Sequence, residues 1–376
     1  MRTIQMVDTK TQYQKIKPEI DKAVIDVMES SAFINGPVVK EFADNLAAYL
    51  GAKHAIPCGN GTDALQIALM ALGLKPGDEV ITPSFTFIAT TEVVALLGLT
   101  PVFVDVDKDT FCVDIADLER AITPRTKAIV PVHLYGHPAN MEAIMAIAQK
   151  HDLYVVEDNA QSIGAEYTFS DGTTKKTGTI GHIGCTSFYP SKNLGAFGDG
   201  GAISTNDDAL AERLRIVANH GQTKRYYHDV VGCNSRLDSV QAAVLNIKLR
   251  YLEEYNQARH EAAVYYNNAF SISENLATPR AASNVRHVYN QYTLIVEGAD
   301  RDGLQQYLAS KGVPSMLYYP LPGHRQKMFE SFQVEGRELP VTDWLTDRVI
   351  SLPMHSELDE EQLLHITGSV LEYVNK

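Results

Sequence analysis

Cysteine is scarce in this sequence, with four among 376 residues. Cys58, Cys112, Cys185 and Cys233 are scattered and form no C-x-x-C pair. That distribution argues against a disulfide framework and against a zinc site, so we expect no metal and a reducing, cytoplasmic setting. Long apolar runs are also lacking: no stretch of about eighteen apolar residues occurs, and the N-terminal segment has no apolar core. We therefore expect a protein that is neither exported nor membrane-spanning.

Basic residues are fewer than acidic residues in this sequence. The chain has 33 lysines and arginines against 46 aspartates and glutamates, for a formal net charge of −13. No cluster of basic residues is long enough to bind nucleic acid or a membrane surface, so neither is an expected partner. An anionic ligand would have to be held by a few local cations. Length and a hydrophobic content of 45% predict an ordinary globular protein of about two domains.

Short β-rich runs alternate with helical segments between residue 61 and about residue 206. DEVITPS, TPVFVDVD and LYVVEDNA are typical of buried strands, whereas GTDALQIALMALG and NMEAIMAIAQKH have the period of helices. In the first of these helices Leu65, Ala68, Leu69 and Leu72 share one face. The alternation predicts an α/β fold with a mainly parallel sheet covered by helices on both sides.

The rest of the chain is expected to form a smaller unit. From Ser235 to about Phe270 a helical pattern without proline or glycine predicts one long helix. Beyond it, VYNQYTLIVE and RDGLQQYLASKG indicate an α+β unit, and residues 323–344 show no clear period and are expected to be a loop with a short helix. We predict a large domain over residues 1–250 and a smaller C-terminal α+β domain over residues 251–376.

One lysine lies between a strand-like run and a glycine-rich loop in SFYPSKNLGAFGDGGAISTND. Glycine tolerates positive φ and close backbone approach, so Gly195, Gly198, Gly200 and Gly201 indicate a tight turn or a nearby group. A lysine in such a place is usually a solvated charge, but these neighbours favour a buried Lys192 that faces a ligand. A lysine that forms a Schiff base needs a lowered pKa, which burial supplies.

The segment GNGTDAL can form a phosphate cradle. Gly59 and Gly61 flank Asn60, and Thr62 or Asp63 is expected to cap the following helix. The free N–H groups at Gly61 and Thr62, with the positive end of the helix dipole, would then suit a phosphate. Taken alone, the motif favours a plain capped helix, and it is no dinucleotide-binding fingerprint.

The segment VVEDNAQS is expected to deliver a carboxylate to the same region. A strand through Val155 and Val156 would place Glu157 and Asp158 at its carboxyl end, where ligands bind in open α/β sheets. One of the two should face inward, which is costly unless it meets a cation. Taken alone, an aspartate that caps a helix is the simpler interpretation.

A single ligand, pyridoxal phosphate (PLP), satisfies all three features. It has a phosphate for a helix N-terminus, a ring nitrogen for a buried carboxylate and an aldehyde for a lysine. The segments GNGTDAL, EDNAQS, SFYPSKNLGAFGDGGA, NSRLDSVQAAVL and SLPMH resemble the motifs of the DegT/DnrJ/StrS family of PLP-dependent nucleotide-sugar aminotransferases, and they span nearly the whole chain. The resemblance implies fold type I with a seven-stranded, mainly parallel sheet. It also implies a homodimer with shared active sites, L-glutamate as amino donor and a nucleotide-linked keto sugar as acceptor.

The resemblance assigns roles around the cofactor ring. Lys192 would bond to the cofactor and then move a proton between the cofactor carbon and the sugar carbon. Asp158 would pair with the ring nitrogen, and Gln161 would lie at the phenolic oxygen. Phe87 would stack on the ring, although an ordinary core phenylalanine is an alternative. The phosphate would be bound by Gly61, Thr62 and Ser187, and by Asn234 of the partner subunit.

The loop around Lys192 also resembles one group within the family. Members that aminate C-3 of the sugar share PxKNLGxxGDGG, and this chain has Tyr189 before Pro190 where C-4 enzymes tend to have a histidine. Within that group the chain is most similar to enzymes that aminate UDP-2-acetamido-2-deoxy-3-oxo-glucuronate for surface polysaccharide of the O-antigen type. Arg236 would bind the sugar carboxylate, or alternatively a neighbouring carboxylate of the protein.

One departure from the family keeps the substrate open. Where the family often has HYP, this chain has Tyr318, Tyr319 and Pro320, so a substrate-contacting histidine would be replaced by Tyr318. A phenol donates a hydrogen bond but is not cationic near neutral pH. A dTDP-3-oxo-6-deoxyhexose is therefore the alternative acceptor. The remaining residues expected to bind substrate are Tyr319 and, in a loop that would hold the diphosphate, Lys224, Arg225 and His228.

Two alternative interpretations assign the chain to other classes of protein. A non-catalytic regulator could keep the aminotransferase fold as a ligand sensor, but residues 1 to about 30 are too short for a DNA-binding module. A plain α/β binding protein without cofactor leaves the coincidence of cradle, aspartate and lysine unexplained. Family members that act as dehydratases replace the lysine by histidine, and Lys192 argues against that class.

Overall fold

A computed structural model describes residues 2–332 and 338–375. The helices are α1 Thr9–Ser30, α2 Pro37–Leu50, α3 Gly61–Ala71, α4 Ala89–Leu96, α5 Ile115–Arg120, α6 Met141–His151, α7 Asp208–Ala218, α8 Ser239–Arg250, α9 Leu252–Phe270, α10 Arg301–Ser310, α11 Pro340–Thr346 and α12 Glu360–Val374. The strands are β1 His54–Cys58, β2 Glu79–Pro83, β3 Thr100–Val104, β4 Thr126–Ile129, β5 Tyr154–Asp158, β6 Glu166–Thr168, β7 Thr174–Lys176, β8 Ile183–Ser187, β9 Gly201–Thr205, β10 Gln222–Lys224, β11 Tyr227–His228, β12 Leu276–Ala277, β13 Val285–Arg286, β14 Tyr292–Val296 and β15 Val349–Leu352.

Seven strands form the central sheet in the order β1-β9-β8-β5-β4-β2-β3. The pairs from β8 to β3 are all parallel, whereas β9 runs antiparallel to both β8 and β1. The predicted mainly parallel sheet is therefore confirmed. Its central strands are buried on both faces, which explains why their sequences are nearly continuous apolar runs.

Helices cover both faces of this sheet, as the alternation of elements predicts. On one face α3 packs against β8, and the predicted stripe Leu65, Ala68, Leu69 and Leu72 is buried there. On the other face, residues of α6 such as Ile144 join a separate apolar cluster with the strands. The carboxyl ends of the parallel strands therefore meet at one edge of the sheet, where ligands bind in such folds.

A second apolar core lies in the C-terminal part of the chain. It joins α9, α10 and α12 to the small antiparallel sheet β12-β14-β15, and Ile4 from the N-terminal segment is buried in it. The boundary that we predict at residue 250 coincides with the junction of α8 and α9. The division of the chain at this residue stays a prediction.

The single long helix predicted from Ser235 to Phe270 is wrong at both its start and its middle. Residues before Ser239 are extended, because Asn234 bridges to Asn219 and Asp238 bridges to Ile34. The helix then ends at Arg250, where the Tyr251 amide bonds back to the Lys248 carbonyl in a tighter turn. The Tyr251 hydroxyl donates to Glu19 of α1 at 2.5 Å, so a tertiary contact supports the break that no glycine or proline marks.

The segment expected to be a loop with a short helix is only partly described. It contains two short 3-10 turns, Gly323–Arg325 and Lys327–Phe332, and most of α11. Residues 333–337 of that segment lie outside the described residues. Within the described part of the chain, no helix has the length and apolar character needed to cross a membrane.

Candidate active site

Asp158 ends β5 at the ligand-binding edge of the sheet and is 5% exposed. Its Oδ2 accepts a hydrogen bond from Thr90 Oγ1 at 2.7 Å, and its Oδ1 accepts from the Ala160 amide at 3.1 Å. Because a carboxylate has about four acceptor positions, further ones stay available for a ligand proton. These two hydrogen bonds therefore fix the orientation of the Asp158 carboxylate, which can still accept further hydrogen bonds.

Glu157 projects from the same strand but has a structural role. It is fully buried, accepts from His133 Nε2 at 2.8 Å and accepts from the amides of Gly178, Ile180 and Gly181. These four donors occupy both oxygens, so Glu157 has little capacity for a ligand. Asp158 is therefore the carboxylate of the pair that can serve the site.

Lys192 follows β8 and is half-buried beside Asp158. Burial lowers the pKa of its ammonium to about 8, and the negative charge of Asp158 opposes that shift. Lys192 Nζ has no hydrogen-bond partner among residues 2–332 and 338–375. A lysine that is partly neutral near pH 8 and unbound is suited to nucleophilic attack on a carbonyl.

The glycines around Lys192 are needed for close approach and not for positive φ. None of Gly195, Gly198, Gly200 and Gly201 has a left-handed backbone, so close approach to neighbouring atoms accounts for these glycines. A Cβ on Gly195 would lie 2.3 Å from the Pro190 carbonyl oxygen, and one on Gly201 would lie 2.4 Å from the backbone of residue 60. The loop is folded tightly onto itself and onto the start of α3.

The phosphate cradle predicted at α3 has the expected free donors. Asn60, and not Thr62 or Asp63, caps the helix, because its Oδ1 accepts from the Asp63 amide at 2.8 Å. The amides of Gly61 and Thr62 have no acceptor within the described residues. A Cβ on Gly61 would lie 2.6 Å from Ser187 Cβ, so the helix N-terminus adjoins the end of β8. A phosphate placed there would meet two backbone donors and a hydroxyl.

Gln161 and two tyrosines form the wall next to Asp158. Gln161 Oε1 accepts from the Tyr135 amide at 2.6 Å, and its Nε2 donates to Tyr319 Oη at 3.1 Å. The Tyr135 hydroxyl donates to the Tyr318 carbonyl. Burial raises the pKa of the Tyr319 hydroxyl, so it stays protonated and can act as a hydrogen-bond donor. Tyr318 and Tyr319 thus line the region where we expect substrate.

Phe87 is not a core residue. Its side chain is 53% exposed, and its ring centroid lies 6.1 Å from that of Tyr319. An exposed aromatic ring at the sheet edge that also carries Asp158 is consistent with stacking on a planar ligand. The alternative of an ordinary core phenylalanine is thereby excluded.

Comparison with known proteins identifies the family. The model of the DegT/DnrJ/EryC1/StrS aminotransferase family matches residues 14–371. This chain belongs to that family. It is 48% identical to the UDP-2-acetamido-2-deoxy-3-oxo-D-glucuronate aminotransferase of Pseudomonas aeruginosa, over 98% of this chain and 99% of the relative.

Two further relatives are each 46% identical to this chain. One is a UDP-N-acetyl-3-dehydro-alpha-D-glucosamine 3-aminotransferase of Acidithiobacillus ferrooxidans, with 96% of each chain covered. The other is described as a pleiotropic regulatory protein of Geobacillus stearothermophilus, with 98% of each chain covered.

Solved structures of relatives have the same fold. DesV of S. venezuelae superposes with a TM-score of 0.95 at 38% identity, over all of both chains. NtdA of Bacillus subtilis with bound cofactor PMP superposes with a TM-score of 0.88 at 31% identity, over 96% of this chain and 82% of that one. The fold type I assignment is confirmed, and PLP is the cofactor of the family.

The residues of this aminotransferase suit PLP at each of its functional groups. The N-terminus of α3 with Ser187 suits the phosphate, Asp158 suits the ring nitrogen, and Lys192 suits the aldehyde. The individual assignments of Phe87 and Gln161 stay predictions.

The three basic residues predicted to bind the substrate diphosphate are all exposed in this chain. Lys224 and His228 belong to the strands β10 and β11, and Arg225 to the turn between them, so the expected loop is a hairpin. His228 Nδ1 bonds to the His220 carbonyl at 2.9 Å, and the hairpin contacts α7. No described hydrogen bond or ion pair joins it to the site residues.

Arg236 and Asn234 precede α8 near the start of α3. Arg236 is half-buried, and its guanidinium has no carboxylate partner in the described parts of the chain. Asn234 is exposed, while its neighbour Ser235 accepts from the Gly59 amide at 2.8 Å and donates to Asp63 at 2.6 Å. The alternative that Arg236 pairs with a neighbouring carboxylate finds no support.

Sequence reasoning missed two residues that hold the site in place. Thr90 donates to Asp158, and its own hydroxyl lies 3.1 Å from that of Thr86. Tyr135 is held by Gln161 with φ of +58°, an unusual backbone for a bulky residue. Such outliers cluster at functional sites. Neither residue has a sequence feature that marks it, because both contacts are tertiary.

Proposed function

We propose that this aminotransferase moves an amino group from L-glutamate to C-3 of UDP-2-acetamido-2-deoxy-3-oxo-glucuronate, in the synthesis of a surface polysaccharide. The observation that carries the proposal is that Lys192 is half-buried, has a pKa lowered to about 8 and lies close enough to Asp158 for the negative charge of that carboxylate to act on it. Two relatives, at 46% and 48% identity, are named for UDP-linked 3-oxo sugars, which supports amination at C-3 of a UDP sugar, and the name of the 48% relative alone specifies the glucuronate.

The protein groups divide the chemistry between them. Bound PLP supplies an electron sink and stores the amino group between donor and acceptor. Lys192, once free, accepts and returns the proton at the reacting carbon, because its depressed pKa lets it act as base and acid near neutral pH. Asp158 keeps a proton on the ring nitrogen and is itself oriented by Thr90.

A free guanidinium supports an acidic sugar. Arg236 is half-buried, lacks a carboxylate partner among the described residues and belongs to a chain with net charge −13. A charge-assisted bond to the C-6 carboxylate would contribute about 1.5–3 kcal/mol. The same charge would add little to the binding of a 6-deoxy sugar, which is the alternative acceptor.

We further propose that the enzyme is a homodimer with shared active sites. Lys224, Arg225 and His228 lie on an exposed hairpin, and no described hydrogen bond or ion pair joins them to the site residues of their own chain. Tyr226 and Tyr227 on that hairpin are 78% and 61% exposed, which is unusual for such large side chains unless a partner covers them. A hairpin that reaches the site of a second copy accounts for both observations.

The first experiment asks whether Lys192 carries the cofactor. Borohydride reduction of the PLP-saturated protein, followed by peptide mass spectrometry, should place the adduct on Lys192.

The second experiment tests a panel of candidate amino products as amino donors to the bound PLP. The panel contains UDP-linked 3-amino sugars with a C-6 carboxylate or a C-6 alcohol, and dTDP-linked 3-amino-6-deoxy sugars. Bleaching of the yellow colour of the PLP form measures amino transfer from each.

The substrate assignment is tested with Arg236→Gln. We expect it to weaken the 3-amino-glucuronate by roughly 10- to 100-fold, as about 1.5–3 kcal/mol implies, and to leave the C-6 alcohol nearly unchanged. Arg120→Gln is the matched control, because Arg120 is exposed and pairs only with Asp117 among its described contacts. A wild-type preference for the dTDP sugar would favour the alternative acceptor, and an adduct without any amino transfer would favour a regulator.

A further inference from the structure

Side chains from two helices hold the loop that carries Lys192. Gln241 of α8 binds the Phe197 backbone twice, accepting from its amide at 2.8 Å and donating to its carbonyl at 3.2 Å. Lys248 Nζ, also of α8, donates to the Gly195 carbonyl at 2.6 Å. Asn193 Nδ2 donates to Asn256 Oδ1 of α9 at 2.7 Å. The loop is therefore fixed at three residues that closely follow Lys192.

The spacing along α8 explains how one helix can hold two points of the loop. Gln241 and Lys248 are seven residues apart, which is close to two turns, so they lie on the same face. The carbonyl that Lys248 binds belongs to Gly195, whose missing side chain lets the loop pack on Pro190. The bond therefore acts at the tightest point of the loop.

Lys248 is an unusual choice for a purely structural position. It is 1% exposed and has no carboxylate partner within the described residues. Its ammonium has the Gly195 carbonyl and the ring of Phe197, whose centroid lies 5.4 Å away. A buried ammonium is costly, whereas a methionine would fill the same volume without that cost. Its one described hydrogen bond goes to a carbonyl of the loop that carries Lys192, so the position of that loop is what this lysine can affect.

We propose that Lys248 is a positioning residue, which fixes the Gly195 carbonyl and thereby holds the Lys192 side chain toward Asp158. The inference rests on the proposed function, since Lys192 must be the lysine that bonds to the cofactor. Lys248 acts through the backbone and not through its charge, because the causes of the Lys192 pKa shift are burial and Asp158. It contacts neither Asp158 nor the N-terminus of α3.

The pH dependence of the free energy of unfolding distinguishes a positioning role of Lys248 from a stabilising role. Burial lowers its pKa to about 7, and the positive charge of Arg259 on α9 lowers it further. Because an exposed lysine has a pKa of 10.5, the unfolded chain binds more protons than the folded one between pH 7 and 10.5. The contribution of Lys248 to the free energy of unfolding rises with pH across that window and is lowest below pH 7. Lys248→Met removes this penalty.

The experiment compares Lys248→Met with Lys150→Met, which removes an exposed lysine on α6. Hydrogen exchange of the protein without cofactor should increase in the peptide covering residues 189–200 for Lys248→Met alone. At pH 6 the same variant should resist urea at least as well as wild type. With cofactor and substrates, kcat should fall roughly tenfold or more while KM for the sugar changes less than about twofold, as expected when a reacting group is displaced.

Two results for Lys248→Met would overturn the positioning role: unchanged exchange of residues 189–200, or a loss of protection that is global. An adduct on a lysine other than Lys192 would overturn the proposed function instead, so the two failures are distinguishable.

Discussion

Replacing Gly61 by alanine tests the phosphate cradle with one methyl group. A Cβ at this position would lie 2.6 Å from Ser187 Cβ and 3.2 Å from Ser187 Cα. Carbon atoms in contact are separated by about 3.5–4.0 Å, so the first turn of α3 would have to move by about 1 Å. The clashing atoms belong to the end of strand β8 and not to a flexible side-chain tip. We therefore expect the helix start to shift away from Ser187.

That shift should weaken binding of the cofactor phosphate in particular. A hydrogen bond to a charged group contributes about 1.5–3 kcal/mol, so the loss of one bond to the phosphate sets the expected magnitude. The amides of Gly61 and Thr62 must converge with the Ser187 hydroxyl on one anion, and a displacement of about 1 Å is enough to spoil such geometry. Because about 1.4 kcal/mol corresponds to a factor of ten, we expect PLP to bind at least roughly tenfold more weakly.

The assay is equilibrium dialysis of the protein without cofactor against PLP and against pyridoxal, which lacks the phosphate. Gly61→Ala should lose affinity for PLP and keep its affinity for pyridoxal. Gly368→Ala is the matched control, since a Cβ on Gly368 in α12 meets no atom within 4 Å. Unchanged binding of PLP to Gly61→Ala, or an equal loss for both ligands, would refute the cradle.

Two further predictions concern the reacting groups. In protein without cofactor, competitive acetylation of Lys192, measured by mass spectrometry, should rise through pH 8, because burial places its pKa at about 8 and the neutral amine is the reactive form; a midpoint near 10.5 would contradict the environment that we describe. Asp158→Asn should still bind PLP but lose most of its rate of amino transfer, since a neutral amide holds the proton on the ring nitrogen less well; near-normal stopped-flow rates would contradict the role of Asp158.

The central strands could be predicted because each is buried on both faces. Val155 and Val156 in β5 have no exposed surface, and such positions give the continuous apolar run that marks a parallel strand. The direction of β9 could not be predicted, because its sequence pattern would suit either orientation. Strand β1 contains Pro57, which weakens the strand pattern and is tolerated because β1 lies at the edge of the sheet.

The sequence predicted the site residues Asp158 and Lys192 more readily than the residues that hold them in place. Asp158 and Lys192 lie next to sequence patterns, a strand end and a glycine-rich loop, that indicate their surroundings. Thr90 lies 68 residues before Asp158, and Gln241 lies 44 residues after Phe197, so their hydrogen bonds depend on the packing of whole helices. Periodicity places such residues on a helix face but does not name what that face meets.

The loop that carries Lys192 meets two opposing requirements. Under the proposed function, Lys192 bonds to the cofactor and is later released to move a proton, so its amino group has to stay free of lasting partners. Its backbone must nevertheless stay in place, because the proton has to be delivered to one carbon. The structure separates these tasks along the chain: Lys192 Nζ has no hydrogen-bond partner in the described residues, whereas Asn193, Gly195 and Phe197 are each held. Asn193 also donates to the Val288 carbonyl at 2.9 Å, which joins the loop to the segment leading into the second core. The hydrogen bonds of the loop therefore leave the Lys192 amino group free while they hold the residues that follow it.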